Sequence, residues 1–426
     1  MKRILIAISF AVMAVSARSQ VHANRELQGL ITQSFGYFPK VKEAENAVAT
    51  SKEKVSLTQL NRLPEVEGDA TYNYVQPKDE MPFNGQNFLF APVHNVNAAF
   101  NAGYALFDFG RVKANVQKTK DELQYATHNV EFVKNQLASQ VATVYYNIVY
   151  LQKAISIQDS VLAYLTENKQ IVESKLRNGD ALKIDLLNIQ SDIDAEQNRK
   201  VDLKNQLQKQ LNLLEYATGT KQSTGVAFDF DINLADTTTA LNIAQLSNSD
   251  FLLAEDKIKQ AQSDVAISKL TYRPSVNVSA TAGYKNGYIP DVTQVKFDYA
   301  AGISLNIPIY NGGKTKQQVK LAQTVVKQNE LALESLNNTY KKDIDQAVTD
   351  INTNLERIKN TGGQIEEAKA AEILAADRFK DGVGTNLEIT NASTNVERAE
   401  LTKLQYEYQL CLSKLELARL LGYQYW

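Results

Sequence analysis

The chain has 426 residues, enough for two or three ordinary domains, and a formal net charge of −2. That near-neutral balance argues against a nucleic-acid partner. One cysteine, Cys411, excludes a disulfide framework or a thiolate cluster, and the three histidines (His22, His94, His128) lack metal-ligand spacing, so no metal or cofactor is expected.

Residues 1–20 read as a secretory signal. Lys2 and Arg3 precede an apolar stretch, Ile4 to Val15, and small residues follow at Ser16 and Ala17. Cleavage is expected somewhere within 17–23, with Val21-His22-Ala23 as a second possible site. A dozen apolar residues are too few for a membrane anchor, since a spanning helix needs roughly 20. No cysteine stands near the cleavage region to take a lipid, and no later run of 18 apolar residues occurs. The exported chain is therefore expected to be periplasmic, secreted or part of an outer-membrane β-barrel.

A first structural repeat is expected over 24–219: a helix from about Asn24 to Asn61, a β-hairpin over 65–109, a long helix over 111–178 and a helix over 182–218. Pro64 closes the first helix. Strands are read near Glu65 to Val75 and Asn95 to Phe109, around a loop rich in Pro, Asn and Gly from Gln76 to Pro92. The long helix carries a seam of alternating three- and four-residue steps: Val116, Thr119, Leu123, Ala126, Val130, Val133, Leu137, Val141, Val144, Ile148. Two successive steps of four end at Val141, a stutter that locally relaxes a supercoil. About 68 residues at 1.5 Å each give a helix of about 100 Å, too long for a globule and suited to a coiled-coil wall.

Residues 220–246 read as a linker rich in Thr, Asp and Asn. The second repeat, 247–426, is expected to hold a helix, a hairpin over 275–310, a long helix over 314–381 and a helix over 387–421. In Val276, Val278, Ala280, Ala282 and Tyr284 one face of a strand is apolar, and the residues between are polar or Gly. The return strand is read near Val295 to Ile309. Gly110, Gly179 and Gly219 match Gly313, Gly382 and Gly422 at a constant offset of 203. The stutter recurs at the same offset, at Leu336, Tyr340 and Ile344, so heptad and defect were duplicated together.

Aromatic residues crowd the strands, among them Tyr72, Tyr74, Phe100, Tyr104, Phe107, Tyr284, Phe297 and Tyr299. They fit the girdles of a membrane barrel, or equally the core of an ordinary β-subdomain. Four strands cannot close a barrel, and an open edge in lipid leaves unpaired N–H and C=O groups. If the strands enter a membrane, several chains must share one barrel. Two chains give eight strands and a filled interior, and three give twelve and room for a conduit.

The chain resembles the outer-membrane efflux protein family, the TolC-like exit ducts. The turn Arg378-Phe379-Lys380-Asp381-Gly382-Val383 followed by Leu387-Glu388-Ile389-Thr390-Asn391-Ala392 is similar to the family's aromatic-x-x-Gly-Val turn and its acidic-led run. Leu176-Arg177-Asn178-Gly179 and Asp185-Leu186-Leu187-Asn188 form its first-half counterpart. The corners Phe107-Asp108-Phe109-Gly110-Arg111 and Ile309-Tyr310-Asn311-Gly312-Gly313-Lys314 also look like the family's.

The resemblance implies a mainly α fold with membrane β: a duplicated long-helix coiled-coil barrel plus β-hairpins. A homotrimer would form a 12-stranded outer-membrane β-barrel and a 12-helix periplasmic tunnel. It implies that the linker belongs to a belt around the tunnel, and that any C-terminal part of that belt is missing beyond Gly422. The implied function is passive conduction of drugs, small molecules or proteins across the periplasm and outer membrane, without enzymatic activity. The implied partners are outer-membrane lipid, a periplasmic adaptor (membrane fusion) protein and an inner-membrane RND or ABC transporter. Asn178, Gly179, Asp180, Gly382, Val383 and Gly384 are the implied adaptor-docking turns. Glu388 and Asp185 are the implied periplasmic constriction. The family's second acidic position is Asn391 here and Asn188 in the first half, which argues against a doubled acidic ring. Acids in a first helical turn also suit the helix dipole on their own account. The rival reading is a periplasmic or surface coiled-coil protein with a structural or adhesive role. It explains the helices but not hairpins at matched places.

Overall fold

A computed structural model describes residues 21–83, 86–221, 225, 227–233 and 237–426. The signal segment 1–20, and the cleavage positions within it, lie outside the described residues. The described elements, in chain order, are β1 (Val21–His22), α1 (Arg25–Tyr37), α2 (Pro39–Leu60), β2 (Glu65–Tyr74), β3 (Glu80–Phe83), β4 (Gln86–Leu89), β5 (His94–Phe107), α3 (Arg111–Asn178) and α4 (Lys183–Thr218). There follow β6 (Asp231–Ile232), α5 (Thr237–Ser247), α6 (Ser249–Leu270), β7 (Ser275–Lys285), β8 (Lys296–Asn306), α7 (Lys314–Lys380) and α8 (Asn386–Leu421).

The structure differs from the sequence reading in three places. The helix expected from Asn24 to Asn61 is two helices, because Pro39 disfavours the helical conformation at Phe38, which sits at φ −71°, ψ 122°. The loop from Gln76 to Pro92 carries a small hairpin, β3 paired with β4. The linker over 220–246 contains β6 and most of α5, and β6 pairs antiparallel with β1.

The chain divides into two compact units. The first comprises residues up to Glu45, His128–Leu253 and Leu333–Trp426. Its main core joins both sequence halves: Leu27 and Ile31 of α1, Val141, Tyr145, Tyr146 and Ile148 of α3, Ile344 and Ile351 of α7, and Leu415, Leu417 and Leu420 of α8. Both stutters lie here, with Leu137, Val141, Tyr340 and Ile344 all buried. A relaxed supercoil lets each long helix present a broader face to this core. Phenol groups within it are partnered rather than orphaned. Tyr145 donates to Glu26 at 3.0 Å and Tyr146 to Asp229 at 3.1 Å, while Tyr340 donates to Asp250. Burial pushes the phenols of Tyr145 and Tyr146 well above their ordinary range, so they stay protonated donors. Cys411 is buried in the same core, where burial pushes its thiol up and leaves it inert.

The second unit comprises Asn46–Thr127 and Ala254–Ala332. It holds a four-stranded antiparallel sheet in the order β2-β5-β7-β8. Each hairpin contributes two neighbouring strands, and the hairpins meet at the β5–β7 pairing, from Asn97↔Lys285 to Tyr104↔Val278 with a bulge before Phe107. Gly283 of β7 sits against β5 so closely that an added Cβ would lie 2.3 Å from the Ala98 carbonyl oxygen. Strands β2 and β8 are the sheet's edges.

Candidate functional site

Two features carry functional geometry, one in each unit. The first is the pair of helical turns in the first unit. At the α3–α4 turn Gly179 takes φ +85° and the Asp180 amide donates back to the Lys175 carbonyl at 2.8 Å. At the α7–α8 turn Gly382 takes φ +78° and the Val383 and Gly384 amides both donate to the Arg378 carbonyl, at 3.0 and 2.9 Å. Positive φ is the glycine C-cap geometry that satisfies the last helical carbonyls. Gly384 is needed for a different reason: an added Cβ would lie 2.9 Å from the Phe379 backbone nitrogen.

The two turns are packed side by side. Val172, Ile189 and Ile193 bury together with Ala375, Phe379, Ile389 and Ala392. Lys175 places its ammonium 4.9 Å from the Phe379 ring centroid and 3.3 Å from the Lys380 carbonyl. Deeper along the helices, buried Asn168 donates to buried Asn386 at 3.3 Å, and the Asn168 Oδ1 has no partner. Further on, the Arg199 Nη1 lies 2.6 Å from Glu196 and 3.3 Å from Glu397, and Gln158 donates to Glu196 at 2.5 Å. Burial and the nearby Glu196 charge push the Glu397 carboxyl up, against the pull of Arg199. These polar links join first-half helices α3 and α4 to second-half helices α7 and α8.

Asn178, Gly179, Asp180, Gly382 and Val383 are exposed at the turns, and Gly384 is half-buried beneath them. Asp185 and Glu388 occupy equivalent places in the first turns of α4 and α8. Asp185 accepts from the Leu182 amide at 3.0 Å. Glu388 is paired with Arg378 of its own chain at 3.3 Å, and its amide donates to the Thr385 hydroxyl at 3.3 Å. The Asp185 carboxylate thus caps α4, the Thr385 hydroxyl caps α8, and both acids are still accessible to water. Asn391 is exposed one turn beyond Glu388. Asn168, Glu196, Arg199 and Glu397 were not anticipated. Asn168 had a signal, since it continues the apolar seam three residues after Leu165 with a polar side chain.

The second feature is the sheet. Successive residues of a strand point to opposite faces, and cross-strand partners share one. One face carries Val66, Ala70 and Tyr72 of β2, Ala98, Phe100 and Tyr104 of β5, Val278, Ala280 and Tyr284 of β7, and Tyr299, Ala301 and Ile303 of β8. The other carries Glu67, Asp69, Asn97, Asn101, Ser279, Thr281, Asp298 and Ser304. The apolar face is the more exposed one: Phe100 is 70 %, Tyr299 75 % and Ile303 74 % exposed, while most of the named polar residues are half-buried. The polar face is internally bonded, with Asp69 accepting from Asn97 at 3.3 Å and from Asn101. A water-soluble β-subdomain would bury the apolar side, so the exposure of these aromatics argues for the girdle reading over the core reading. Aromatics lie near both ends of the strands, with Tyr284 and Phe297 5.4 Å apart at one end and Phe107 and Phe109 4.7 Å apart at the other. Among the described residues no helix is long and apolar enough to cross a membrane.

A β-sheet with one exposed apolar face and one polar face, carried by a chain with helices of 68 and 67 residues, fits a channel component of a bacterial outer membrane. Comparison with known proteins gives the same answer. Residues 30–220 and 240–423 match the family described as outer membrane efflux protein, and the chain belongs to that family. It is 22% identical over 448 residues to the outer membrane protein TolC of Escherichia coli K12, covering 99% of this chain and 87% of that protein. It is 20% identical over 334 residues to the toluene efflux pump outer membrane protein TtgF of Pseudomonas putida, covering 76% of this chain and 69% of that one. The solved structure of VceC from Vibrio cholerae superposes with a TM-score of 0.79 at 17% identity, covering 94% of this chain and 97% of that chain. CusC superposes with a TM-score of 0.81 at 17% identity, covering 94% and 93%. The protein is an outer-membrane exit duct that extends into the periplasm.

Proposed function

We propose that three copies of this chain assemble into one conduit that passes cargo from an inner-membrane RND or ABC transporter, through a periplasmic adaptor, to the outside. The observation that carries the proposal is the four-stranded sheet with an exposed apolar face and two unpaired edges, β2 and β8. An open edge in lipid leaves backbone donors and acceptors unsatisfied at several kcal/mol each. Antiparallel pairing of β8 with β2 of the next copy removes both edges. Three copies give twelve strands, enough to enclose a bore. Conduction needs no chemistry, and among the described residues no group of His, Cys, Asp and Glu is placed to hold a metal.

The exposed turns around Gly179 and Gly382 are the proposed adaptor-docking surface, where glycine allows close backbone approach. Glu388 and Asp185 are the proposed constriction, since three copies of each around a threefold axis would attract cations. The assembly is tested by extraction and electrophoresis. We expect a detergent-requiring, heat-modifiable trimer that conducts in planar bilayers, whereas a monodisperse soluble monomer would sink the proposal. Docking is tested by cross-linking in cells from Asp180→Cys and Val383→Cys, positions that spare the strained glycines. Capture of a periplasmic adaptor is expected, and its absence from both sites would remove the turns as the docking surface.

A further inference from the structure

The second unit holds a charge pattern that conduction does not require. Four helix ends adjoin the sheet: the ends of α2 and α6 and the starts of α3 and α7. Residues 57–64, 108–116, 267–274 and 311–319, the last turn of α2 and α6 and the first six residues of α3 and α7 with their corners, contain seven basic residues and one acid. Each end contributes: Arg62, then Arg111 and Lys113, then Lys269 and Arg273, then Lys314 and Lys316. The one acid, Asp108, is occupied in capping α3, accepting from the Gly110 amide at 2.9 Å and the Val112 amide at 2.6 Å. Lys118, farther along α3, is paired with Asp264 at 2.6 Å, but none of the seven lies within ion-pair distance of a described carboxylate. The chain as a whole is net −2, so this is a local excess and not a general basicity.

The pattern sits where a membrane surface must be. The apolar face of the sheet marks the hydrocarbon, and β2 begins three residues after Arg62. Phe107 and Phe109 pack edge-to-face at the corner next to Arg111, and Ile309 and Tyr310, just before Lys314, are 90 % and 88 % exposed. Aromatics at the edge of the hydrocarbon followed by long cationic side chains match a headgroup layer in depth and in charge.

We propose that these helix ends form a basic collar that binds anionic phospholipid headgroups in the leaflet facing the periplasm. The inference rests on the sheet lying in the membrane, and it adds a lipid class to that placement. The ammonium and guanidinium groups supply point charges and forked donors for phosphate oxygens. The collar would hold the depth and tilt of the duct while its bore stays free for cargo.

The test uses the full-length assembly in nanodiscs of phosphatidylcholine with phosphatidylglycerol, with retained lipids counted by native mass spectrometry. Each basic residue near an anionic surface contributes about a fivefold preference at low salt. The wild type should retain phosphatidylglycerol over phosphatidylcholine, and 0.5 M salt should reduce the preference. Combined Lys113→Gln, Lys269→Gln, Lys314→Gln and Lys316→Gln should lower it at least about tenfold. Equal retention of the two lipids by the wild type overturns the proposal, as does a preference that neither salt nor the variant changes. Binding to peptidoglycan sacculi without lipid preference also overturns it, because it assigns the charge to the cell wall. Conductance in pure phosphatidylcholine bilayers reports insertion separately: if insertion fails there, the membrane placement fails and not the collar alone. The salt titration keeps the test decisive should the variant not assemble.

Discussion

At the scale of single residues, the two turns differ in what they tolerate. Gly382 and Gly179 are held at positive φ with open space where a Cβ would go. Alanine there costs about 1 kcal/mol of backbone strain. Gly384 has an ordinary φ but no room, so Gly384→Ala must displace the backbone at Arg378 and Phe379. We expect that variant to lose adaptor cross-linking from Val383→Cys and to become protease-sensitive at the turn, with Gly382→Ala affected less. The reverse order would show that conformation, not space, governs the turn. Glu397 supplies a pH signature. Its folded carboxyl lies above the ordinary 4.5, raised by burial and by Glu196. Its contribution to stability is therefore full below about 4.5 and is lost as pH rises through the raised value. Glu397→Gln should flatten the fall in melting temperature between pH 4.5 and neutrality, and an unchanged profile would exclude Glu397 as a source of it. The glycines of the turns and the acids at the helix starts were legible in the sequence, because capping is local chemistry. The Arg199–Glu397 and Asn168–Asn386 contacts were not, because they join residues about 200 positions apart whose spacing encodes nothing.

At the scale of elements, periodicity made the long helices and the strands legible, and it failed where a helix has more than one neighbour. The seam on α3 omitted Tyr145 and Tyr146, which are fully buried. Tyr146 packs sideways on Phe228 and Phe230, and Tyr145 packs on Tyr146 and donates to Glu26 of α1, all outside the helical pair, so a two-helix pattern has no place for them. The near-continuous apolar run from Val141 to Val149 was the available signal. The break at Phe38 was missed because Pro39 suits a first helical position and leaves the periodic pattern intact. In the strands, alternation identified the apolar face, but only the structure showed that this face is the more exposed of the two. Ala300 and Ala301 of β8 test that assignment directly, being neighbours on opposite faces. Ala301→Arg places a charge against lipid at a cost of about 2–4 kcal/mol near mid-membrane, whereas Ala300→Arg faces the polar side. We expect Ala301→Arg to abolish heat-modifiable trimer in the membrane fraction and Ala300→Arg to preserve it with altered ion selectivity. Equal tolerance of both would refute the two-faced sheet.

At the scale of the whole molecule, the duplication explains both the strength and the incompleteness of a single chain. Each half supplies a hairpin and a pair of helices, and the two halves share the core around Tyr146 and Leu417. Near the turns the halves are held together more sparingly. There a small apolar cluster is supplemented by the Asn168–Asn386 bond, the Arg199–Glu397 pair and the Lys175 contacts. An arrangement whose far end is fixed by a large core and whose near end is fixed by a few polar links is suited to opening at the near end. A buried polar link depends on both partners, so removing one of them leaves the other unsatisfied and weakens the hold at that place. Asn168→Leu removes one link; it leaves the Asn386 Oδ1 without its donor, a cost of about 1–3 kcal/mol that removal of the unpartnered Asn168 Oδ1 offsets in part. Glu397→Gln removes the charge from the other. If these links hold the turns closed, each variant should raise single-channel conductance, and the double variant should raise it by more than the sum of the two, because either link alone still restrains the second-half helices. Conductance equal to wild type in the double variant, with thermal stability retained, would place the restraint elsewhere, at Lys175 or between copies of the chain.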